Sequence, residues 1–285
     1  MEARANKAKV HEYWNANPCE TDEYVQREGG TSRLLGHEPL SREYFDAMES
    51  ARYATQSDIM AFAQFTRYRG QRVLEIGVGG GNDFIQWVRA GAEAHGIDLT
   101  EAAIEMTQAR LTAYGLTCAE LRTADAEALP FPDNYFDLVY SWGVLHHTPQ
   151  TEQAIAEAVR VAKPGGTIKL MLYNRHSLVA IREWTRHALL RGKPFRSLDN
   201  VLYCNVESIG TKAYSKQQVR QILSQLAVEN VVLDAAASTR EFGGPMDTSL
   251  KRRTLFVGRY LLTLLLGLNN ADWFMKIRFN KKNNS

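Results

Sequence analysis

Residues 72–82 read RVLEIGVGGGN, and this stretch decides the fold of the chain. Val73, Leu74 and Ile76 form a short apolar run of the kind that is buried in a parallel sheet. The glycines at 77, 79 and 81 predict a tight turn that lets a ligand contact the backbone. Residues 82–89 then predict a helix with one apolar face. A strand, a glycine turn and a helix N-terminus together predict a nucleotide-binding corner at the carboxyl edge of a sheet.

Two acidic residues follow the next predicted strands. Asp98 ends a strand predicted over 93–98, about twenty residues after Gly77, where a carboxylate can accept hydrogen bonds from ribose hydroxyls. Asp125 follows a third strand, predicted over 119–124, and an acid there can accept a bond from an adenine amino group. Each feature alone has a plainer explanation, a glycine loop without a ligand or a solvated acid. The spacing also differs from the dinucleotide fingerprint, which needs a glycine at Asn82.

Together these features resemble the class I S-adenosylmethionine (SAM)-dependent methyltransferases. The matching segments run in order from about residue 72 to 174: Glu75-x-Gly77-x-Gly79-x-Gly81, Asp98, Asp125-Ala126, residues 134–139 (NYFDLV), Leu145-His146-His147 and Lys163-Pro164-Gly165-Gly166. The resemblance implies an α/β fold. We expect a Rossmann-like seven-stranded, mostly parallel sheet with an antiparallel last strand and helices on both faces.

The resemblance also implies SAM as the cofactor and a role for each matching residue. The glycine turn would pass the amino-acid end of SAM, Asp98 would hold the ribose, and Asp125 with the Ala126 backbone would hold the adenine. The predicted cofactor-binding set is Glu75, Gly77, Gly79, Gly81, Asp98, Leu99, Asp125, Ala126, Ser141 and Trp142.

His146 and His147 are the candidate catalytic residues. They follow the fourth predicted strand, 136–142, whose carboxyl end faces the transferred methyl group in this fold. An imidazole with a pKa near neutrality can take a proton from an acceptor hydroxyl or amine. The alternative is that one histidine packs, or caps the helix beginning near Thr151.

Five residues are candidates for substrate contact: Tyr13, Trp14, Tyr173, Asn174 and His176. The aromatic pair lies in a short N-terminal helix, and the other three leave the fifth predicted strand at the active edge. Ordinary helix packing and loop solvation are the alternatives. The segment 141–144 (SWGV) lacks the acid or asparagine and the following Pro-Pro-aromatic of enzymes that methylate base amino groups.

The chain divides into four predicted parts. Residues 1–70 form an N-terminal helical cap over the cofactor cleft, and residues 71–174 form the SAM-binding core. Residues 175–225 form an insert that sets specificity, because they exceed a simple connection. Residues 226–285 supply strands six and seven, with the last strand predicted over 273–279. Basic and apolar residues are interleaved in 178–196, a candidate for contact with an anionic substrate or a membrane surface, although a solvated positive face with a packed apolar face is the commoner outcome. In 251–266, three basic residues precede an apolar stretch that predicts a packed helix first and a membrane-surface or homodimer helix second.

Composition excludes some classes of protein. The net charge of +2 in 285 residues gives no general sign of a nucleic-acid partner. Three cysteines without paired spacing indicate a reducing, cytoplasmic setting and no metal site. The N-terminus lacks the apolar stretch of a signal peptide. The resemblance implies transfer of a methyl group from SAM, and the apolar and basic segment 175–225 favours a small hydrophobic or anionic metabolite as the acceptor. The alternatives are a nicotinamide-dependent oxidoreductase and a non-catalytic SAM-binding module.

Overall fold

The computed structural model describes residues 2–17, 37–236 and 272–283. The strands are β1 Arg72–Ile76, β2 Glu93–Asp98, β3 Glu120–Thr123, β4 Phe136–Trp142, β5 Ala162–Tyr173, β6 Val228–Asp234 and β7 Phe274–Lys281. The α-helices are α1 Glu2–Ala16, α2 Arg42–Thr55, α3 Asp58–Ala63, α4 Phe84–Arg89, α5 Glu101–Ala113, α6 Thr151–Val161, α7 Leu178–His187, α8 Leu198–Asn205 and α9 Lys216–Ser224. Short 3₁₀ helices cover Phe65–Tyr68, Leu145–His147 and Leu189–Arg191.

The seven strands form one sheet in the order β3-β2-β1-β4-β5-β7-β6. Strands β1 to β5 pair in parallel, and β7 is antiparallel to both of its neighbours, β5 and β6. The predicted fold class is therefore confirmed. The strand order reverses between β1 and β4, and in open α/β sheets ligands bind at the carboxyl ends of the strands beside such a reversal.

Apolar clusters cover both faces of the sheet, as the run in β1 predicted. Val73 and Leu74 are consecutive, so their side chains point to opposite faces, and each is fully buried in a different core cluster. Burying one such side chain contributes about 1.5–3 kcal/mol. Trp87 of α4 lies in the cluster around Val73, with its ring 4.3 Å from that of Phe65 and 5.3 Å from that of Tyr140. The helix after the glycine turn is thus anchored by an aromatic contact to the sheet.

Some predicted ends of helices and strands agree with the structure, and others lie at different residues. The segment Ser215-Lys216-Gln217-Gln218-Val219 predicts a capped helix start, and Ser215 does cap α9, in a capping box with Gln218. The helix predicted from 82 begins at Phe84. The segment Pro164-Gly165-Gly166 predicts a turn into the fifth strand, but these residues form an irregularity within β5, because Phe136 pairs with Ala162 while Leu138 pairs with Thr167. The extra residues are accommodated as a bulge rather than as a loop between α6 and the strand.

The described residues do not test every prediction made from the sequence. The apolar stretch 251–266 lies outside the described residues, and the divisions at 70, 174 and 225 stay predictions. Among the described residues, no helix combines the length and the apolar character that crossing a membrane requires.

Candidate functional site

One cavity lies over the carboxyl ends of β1, β2 and β4 and is closed from above by α1 and α2. Its empty volume is about 1080 Å³, counted out to open solvent. The cavity extends from Asp125 past the glycine turn to Trp142 and His147. The structure therefore brings together residues from three successive strand ends, as the sequence predicted.

The glycine turn forms the floor of the cavity. Gly77, Gly79 and Gly81 have φ values of 81°, 51° and 75°, which favour glycine. A Cβ at Gly77 would lie 2.2 Å from a methyl carbon of Val144, and one at Gly81 would lie 2.9 Å from the hydroxyl oxygen of Thr107. Gly77 and Gly79 line the cavity, whereas Gly81 lets the turn pack closely against α5.

Asp98 connects the glycine turn to the end of β2. Its Oδ2 accepts a hydrogen bond from the Gly79 amide at 3.0 Å. Its Oδ1 accepts bonds from the Thr100 amide at 3.0 Å and from the Thr100 hydroxyl at 2.9 Å. Burial raises the pKa of Asp98, and these donors oppose that rise. The carboxylate is held in place from both sides while it lines the cavity together with Leu99.

The far end of the cavity is closed by an ion pair from α1. Asp125 accepts a bond from the Glu127 amide at 2.9 Å, and its other oxygen accepts one from the Lys7 ammonium. Lys7 also donates to the buried Glu127 carboxylate, which in turn accepts from the Gln150 amide at 2.8 Å. Burial lowers the pKa of Lys7, but the two carboxylates raise it overall. Ala126 lines the cavity between these acids, as predicted.

Two buried carboxylates face the middle of the cavity. Glu75 accepts a bond from the Trp87 indole at 2.8 Å. Asp83 accepts two bonds from the Arg52 guanidinium, at 3.0 and 2.8 Å, and one from the Tyr140 hydroxyl at 2.9 Å. Burial, with the nearby charge of Asp83, raises the pKa of Glu75 well above its usual range. One guanidinium thus sits beside two acids, and a cationic ligand group would be stabilised there.

The two histidines differ in position. His147 lines the cavity, and its Nε2 lies 3.0 Å from Oε2 of Glu207. Its Nδ1 lies 3.1 Å from the Ser208 hydroxyl and 3.0 Å from the Thr211 hydroxyl. His146 is fully buried behind His147 and is not among the residues described as lining the cavity.

His146 is an exception to the rule that buried polar groups are hydrogen-bonded. Within the described residues, neither ring nitrogen has a partner at normal hydrogen-bond geometry, and a looser interaction with the Met171 backbone acts to raise the pKa of the ring. Burial, followed by the charges of His147 and Lys212, lowers the pKa of His146 well below its usual range, so the ring is neutral near pH 7. An unsatisfied buried polar group costs about 1–3 kcal/mol.

Glu207 is held over the histidines by an aromatic residue of β5. The Tyr173 hydroxyl donates to the Glu207 carboxylate, at 2.8 and 3.0 Å from its two oxygens. Glu207 has a φ of 54°, a left-handed backbone conformation that is uncommon for a residue with a side chain. Such strain often occurs where a structure fixes a side chain for a function.

Residues 74–170 match the family model described as a methyltransferase domain. The chain contains a class I SAM-dependent methyltransferase domain. Its sheet, glycine turn and strand-end acids are those expected of this fold, and SAM is the cofactor of the family.

Curated relatives match parts of the chain. A phthiotriol/phenolphthiotriol dimycocerosates methyltransferase of Mycobacterium ulcerans is 37% identical over 45% of this chain and 46% of its own length. A ubiquinone/menaquinone biosynthesis C-methyltransferase of Francisella tularensis subsp. novicida is 26% identical over 68% of this chain and 81% of its own. The chain spans between about a third and a half of the length of the relatives that it matches at 37–40% identity.

Solved structures share the fold of the methyltransferase domain at low identity. The (4+2)-cyclase SpnF has a TM-score of 0.57 and 16% identity, over 96% of both chains. A phosphoethanolamine N-methyltransferase of Haemonchus contortus, in complex with S-adenosylhomocysteine, has a TM-score of 0.54 and 16% identity, over 85% of this chain and 58% of its own. A cyclase among these neighbours indicates that the fold alone does not fix the reaction.

Two predicted cofactor residues on β4 of the methyltransferase domain occupy different positions. Trp142 lines the cavity, and its indole donates to the Gln56 side chain at 2.9 Å. Ser141 is buried, and its hydroxyl donates to the Ile76 carbonyl at 2.9 Å, so it ties β4 to β1. It is not among the cavity-lining residues that the structure describes.

The predicted substrate residues also separate into two groups. Trp14 lines the cavity, with its ring 5.2 Å from that of His147, and Tyr13 packs edge-on against it at 5.0 Å. Asn174 is buried, donates to the Asp272 carbonyl at 2.9 Å and accepts from the His176 amide at 3.0 Å. His176 itself is exposed. Asn174 therefore organises the loop after β5, while the described cavity wall includes neither Tyr173, Asn174 nor His176.

Five residues of the site were not predicted from the sequence: Lys7, Arg52, Asp83, Glu127 and Glu207. Asp83 alone carried a usable signal, since an acid directly after the glycine turn lies at the N-terminus of a helix. Lys7, Arg52 and Glu207 act on residues far away in sequence, so only the tertiary fold reveals their partners.

Proposed function

We propose that the protein transfers a methyl group from SAM to a small apolar acceptor and leaves S-adenosylhomocysteine. The observation that carries this proposal is the continuity of the cavity. The same space extends from the acids at the ends of β2 and β3, past the glycine turn, to an aromatic wall formed by Trp14, Trp142 and His147. Cofactor and acceptor could then lie in line, as displacement at a sulfonium carbon requires.

The charges along the cavity support one orientation of SAM. Asp98 would accept hydrogen bonds from the ribose hydroxyls, and Asp125 with the Ala126 backbone would bind the adenine. The Arg52 guanidinium lines the middle of the cavity and would bind the ligand carboxylate. Glu75 and Asp83 would stabilise the ammonium and sulfonium groups, since opposite charges attract strongly in a buried site.

The acceptor end favours an apolar molecule. Its wall includes two indole rings, Val144 and His147. The names of the relatives, which refer to dimycocerosates and to ubiquinone or menaquinone, point to the same class. Of the two predicted bases, we propose His147, because it lines the cavity and can share an acceptor proton with Glu207. Transfer converts the sulfonium to a neutral thioether, and the acceptor loses the proton.

A basic and apolar surface on the insert supports contact with a lipid layer that holds such an acceptor. Phe195 is 99% exposed and Leu190 is 77% exposed, the two highest values among the large apolar side chains of the described residues. Arg186, Arg191 and Lys193 are exposed in the same stretch. We propose that this surface binds anionic membranes, with the Leu190 and Phe195 side chains inserted among head groups and the cations beside phosphates.

Vesicle sedimentation tests that surface. The protein should bind vesicles rich in phosphatidylglycerol more strongly than neutral phosphatidylcholine vesicles. The double variant Leu190→Ser and Phe195→Ser should lose at least fivefold in binding. The matched control, Val231→Ser and Val232→Ser, removes exposed apolar residues from β6 and should bind as wild type does. Equal sedimentation of all three proteins would exclude the contact.

Calorimetric titration with SAM tests the cofactor site. Asp98→Asn keeps the shape of the side chain but removes its charge, and we expect SAM affinity to fall at least tenfold. Asp199→Asn is the control, because that carboxylate is 65% exposed on α8. Equal affinities in wild type and Asp98→Asn would contradict the assignment.

Transfer of labelled methyl to an organic-soluble extract tests the reaction. Binding of NAD instead of SAM would favour the oxidoreductase alternative, and SAM binding without transfer to any extract would favour a non-catalytic module. With a productive extract, His147→Ala should lower transfer while SAM binding persists. A homodimer stays a prediction, which a solution mass measurement decides.

A further inference from the structure

We propose that His146, His147 and Glu207 form a binding site for one divalent transition-metal ion, such as Zn²⁺, at the acceptor end of the cavity. One ligand atom from each residue, two imidazole nitrogens and a carboxylate oxygen, lies within 4.8 Å of the other two. Two histidines and a glutamate are a known ligand set for zinc with an open fourth position. The same set also suits other transition metals that bind imidazole.

The strongest sign of a missing partner is His146. It is 0% exposed, and among the described residues neither ring nitrogen has a partner at normal hydrogen-bond geometry. A looser interaction with the Met171 backbone engages at most one of the two nitrogens, so the other remains available to a ligand. The His146 ring lies 4.3 Å from that of His147, centroid to centroid. A metal ion between the three side chains would give a ring nitrogen of His146 the partner that the described residues do not provide. Burial also keeps His146 neutral, which is the form that binds a metal.

The surroundings of the other two ligands resemble the supporting shell of a metal site. Nε2 of His147 faces Glu207 at 3.0 Å, while its Nδ1 meets the hydroxyls of Ser208 and Thr211. Metal-binding histidines commonly use their second nitrogen in this way, which fixes the tautomer and the ring orientation. Tyr173 supports Glu207 through its hydroxyl, as such outer partners do for ligating carboxylates.

The neighbouring Lys212 ammonium does not occupy the proposed metal position. Lys212 acts electrostatically on His146, but its ammonium is held by the carbonyls of Thr148 and Pro149, the latter at 3.1 Å. Burial lowers the pKa of Lys212, which makes its charge easier to lose near a bound cation. The positive charge of the ion would instead be balanced by Glu207.

An ion at this position would change the proton chemistry of the site. A ring nitrogen that binds a metal cannot accept a proton, so the ion would take over from His147 as the activating group. It would polarise an acceptor oxygen and lower its pKa, as metals do for bound water. This consequence rests on the proposed methyl transfer, whereas the binding of the ion does not.

Equilibrium dialysis and calorimetry with Zn²⁺, on the full chain after treatment with a chelator, test the site. We expect one Zn²⁺ per chain, with much weaker binding of Mg²⁺, which prefers oxygen ligands. His146→Gln and Glu207→Gln should each weaken Zn²⁺ binding at least tenfold. His187→Gln, which changes a partly exposed histidine on α7, is the control and should bind as wild type does.

Two further measurements keep the result decisive. Circular dichroism and SAM titration show whether each variant has folded. Co²⁺ in place of Zn²⁺ should give the visible absorption of a four-coordinate site in wild type and lose it in Glu207→Gln. Absence of saturable Zn²⁺ binding by the folded wild type would overturn the proposal, and so would wild-type Zn²⁺ affinity in both ligand variants. Zn²⁺ binding without SAM binding would instead contradict the proposed function and leave the metal site standing.

Discussion

The two ends of the cavity are built in different ways. At the cofactor end, the key groups come from short loops that directly follow consecutive strands, namely 77–83, 98–100 and 125–127. At the acceptor end, they come from residues that lie far apart in sequence, such as Trp14, His147 and Glu207. The first end is fixed by local backbone geometry, and the second by tertiary contacts. Substitutions at the two ends should therefore differ in what they change and by how much.

The largest effect should follow from filling the glycine turn. Gly77→Ala would place a Cβ 2.2 Å from a Val144 methyl carbon and would also hold a left-handed backbone at φ 81°. We expect the free energy of unfolding to fall by about 2–4 kcal/mol, from overpacking and backbone strain combined. Urea denaturation followed by circular dichroism measures it.

Gly115→Ala is the matched control for that substitution. Gly115 has a φ of 64°, but no atom lies within 4 Å of the position that a Cβ would take, so only backbone strain is added. The expected loss is about 1 kcal/mol. If both substitutions cost the same, the turn does not depend on the close approach of Val144.

An intermediate effect should appear in the pH dependence of SAM binding. Because burial raises the pKa of Glu75 in the folded protein, part of its population carries a proton that a cationic ligand would displace. SAM affinity should therefore rise as pH increases through the raised pKa, with release of a proton on binding. Calorimetry in buffers with different ionisation enthalpies detects that proton, and Glu75→Gln should abolish its release.

The raised pKa of Glu75 should also make the free energy of unfolding depend on pH. The folded pKa of Glu75 lies above the unfolded value, so its contribution to stability is fully present below the unfolded pKa, near 4.5, and is lost as pH rises through the folded pKa. Glu75→Gln should remove that part of the decline in unfolding free energy with pH. A variant with the same pH profile as wild type would show that Glu75 is not the titrating group.

The smallest effect should come from the contact of α1 with the cofactor end. Lys7→Met removes ion pairs from a partly exposed ammonium, while the buried Glu127 carboxylate keeps its hydrogen bonds from the Gln150 amide and side chain, so we expect a loss in the range of exposed pairs. We expect unfolding free energy to change by less than about 1 kcal/mol, while SAM dissociates roughly threefold faster because α1 closes the cavity less firmly. Stopped-flow displacement measures the rate. Lys193→Met, on the exposed insert, should leave it unchanged.

Sequence could predict the cofactor end because its signals are local. The run Val73 to Ile76, the glycines after it and the acid at Asp98 each follow from a strand that ends at a turn, so both the fold and the cavity were predictable. Glu207 could not be predicted, since neither its left-handed backbone nor its contact with His147 has a signature in nearby residues. His146 and His147 are adjacent in sequence, yet only the packing of β5 separates the cavity-lining ring from the buried one.

The position of β7 between β5 and β6 has a consequence for synthesis of the protein. While a ribosome is still making residues 235–273, β5 has an open edge and β6 has no strand beside it. The sheet can close only when residues 274–281 leave the exit tunnel and insert between them. Nascent chains that stall before that point would present two unpaired strand edges, which makes them natural clients for chaperones.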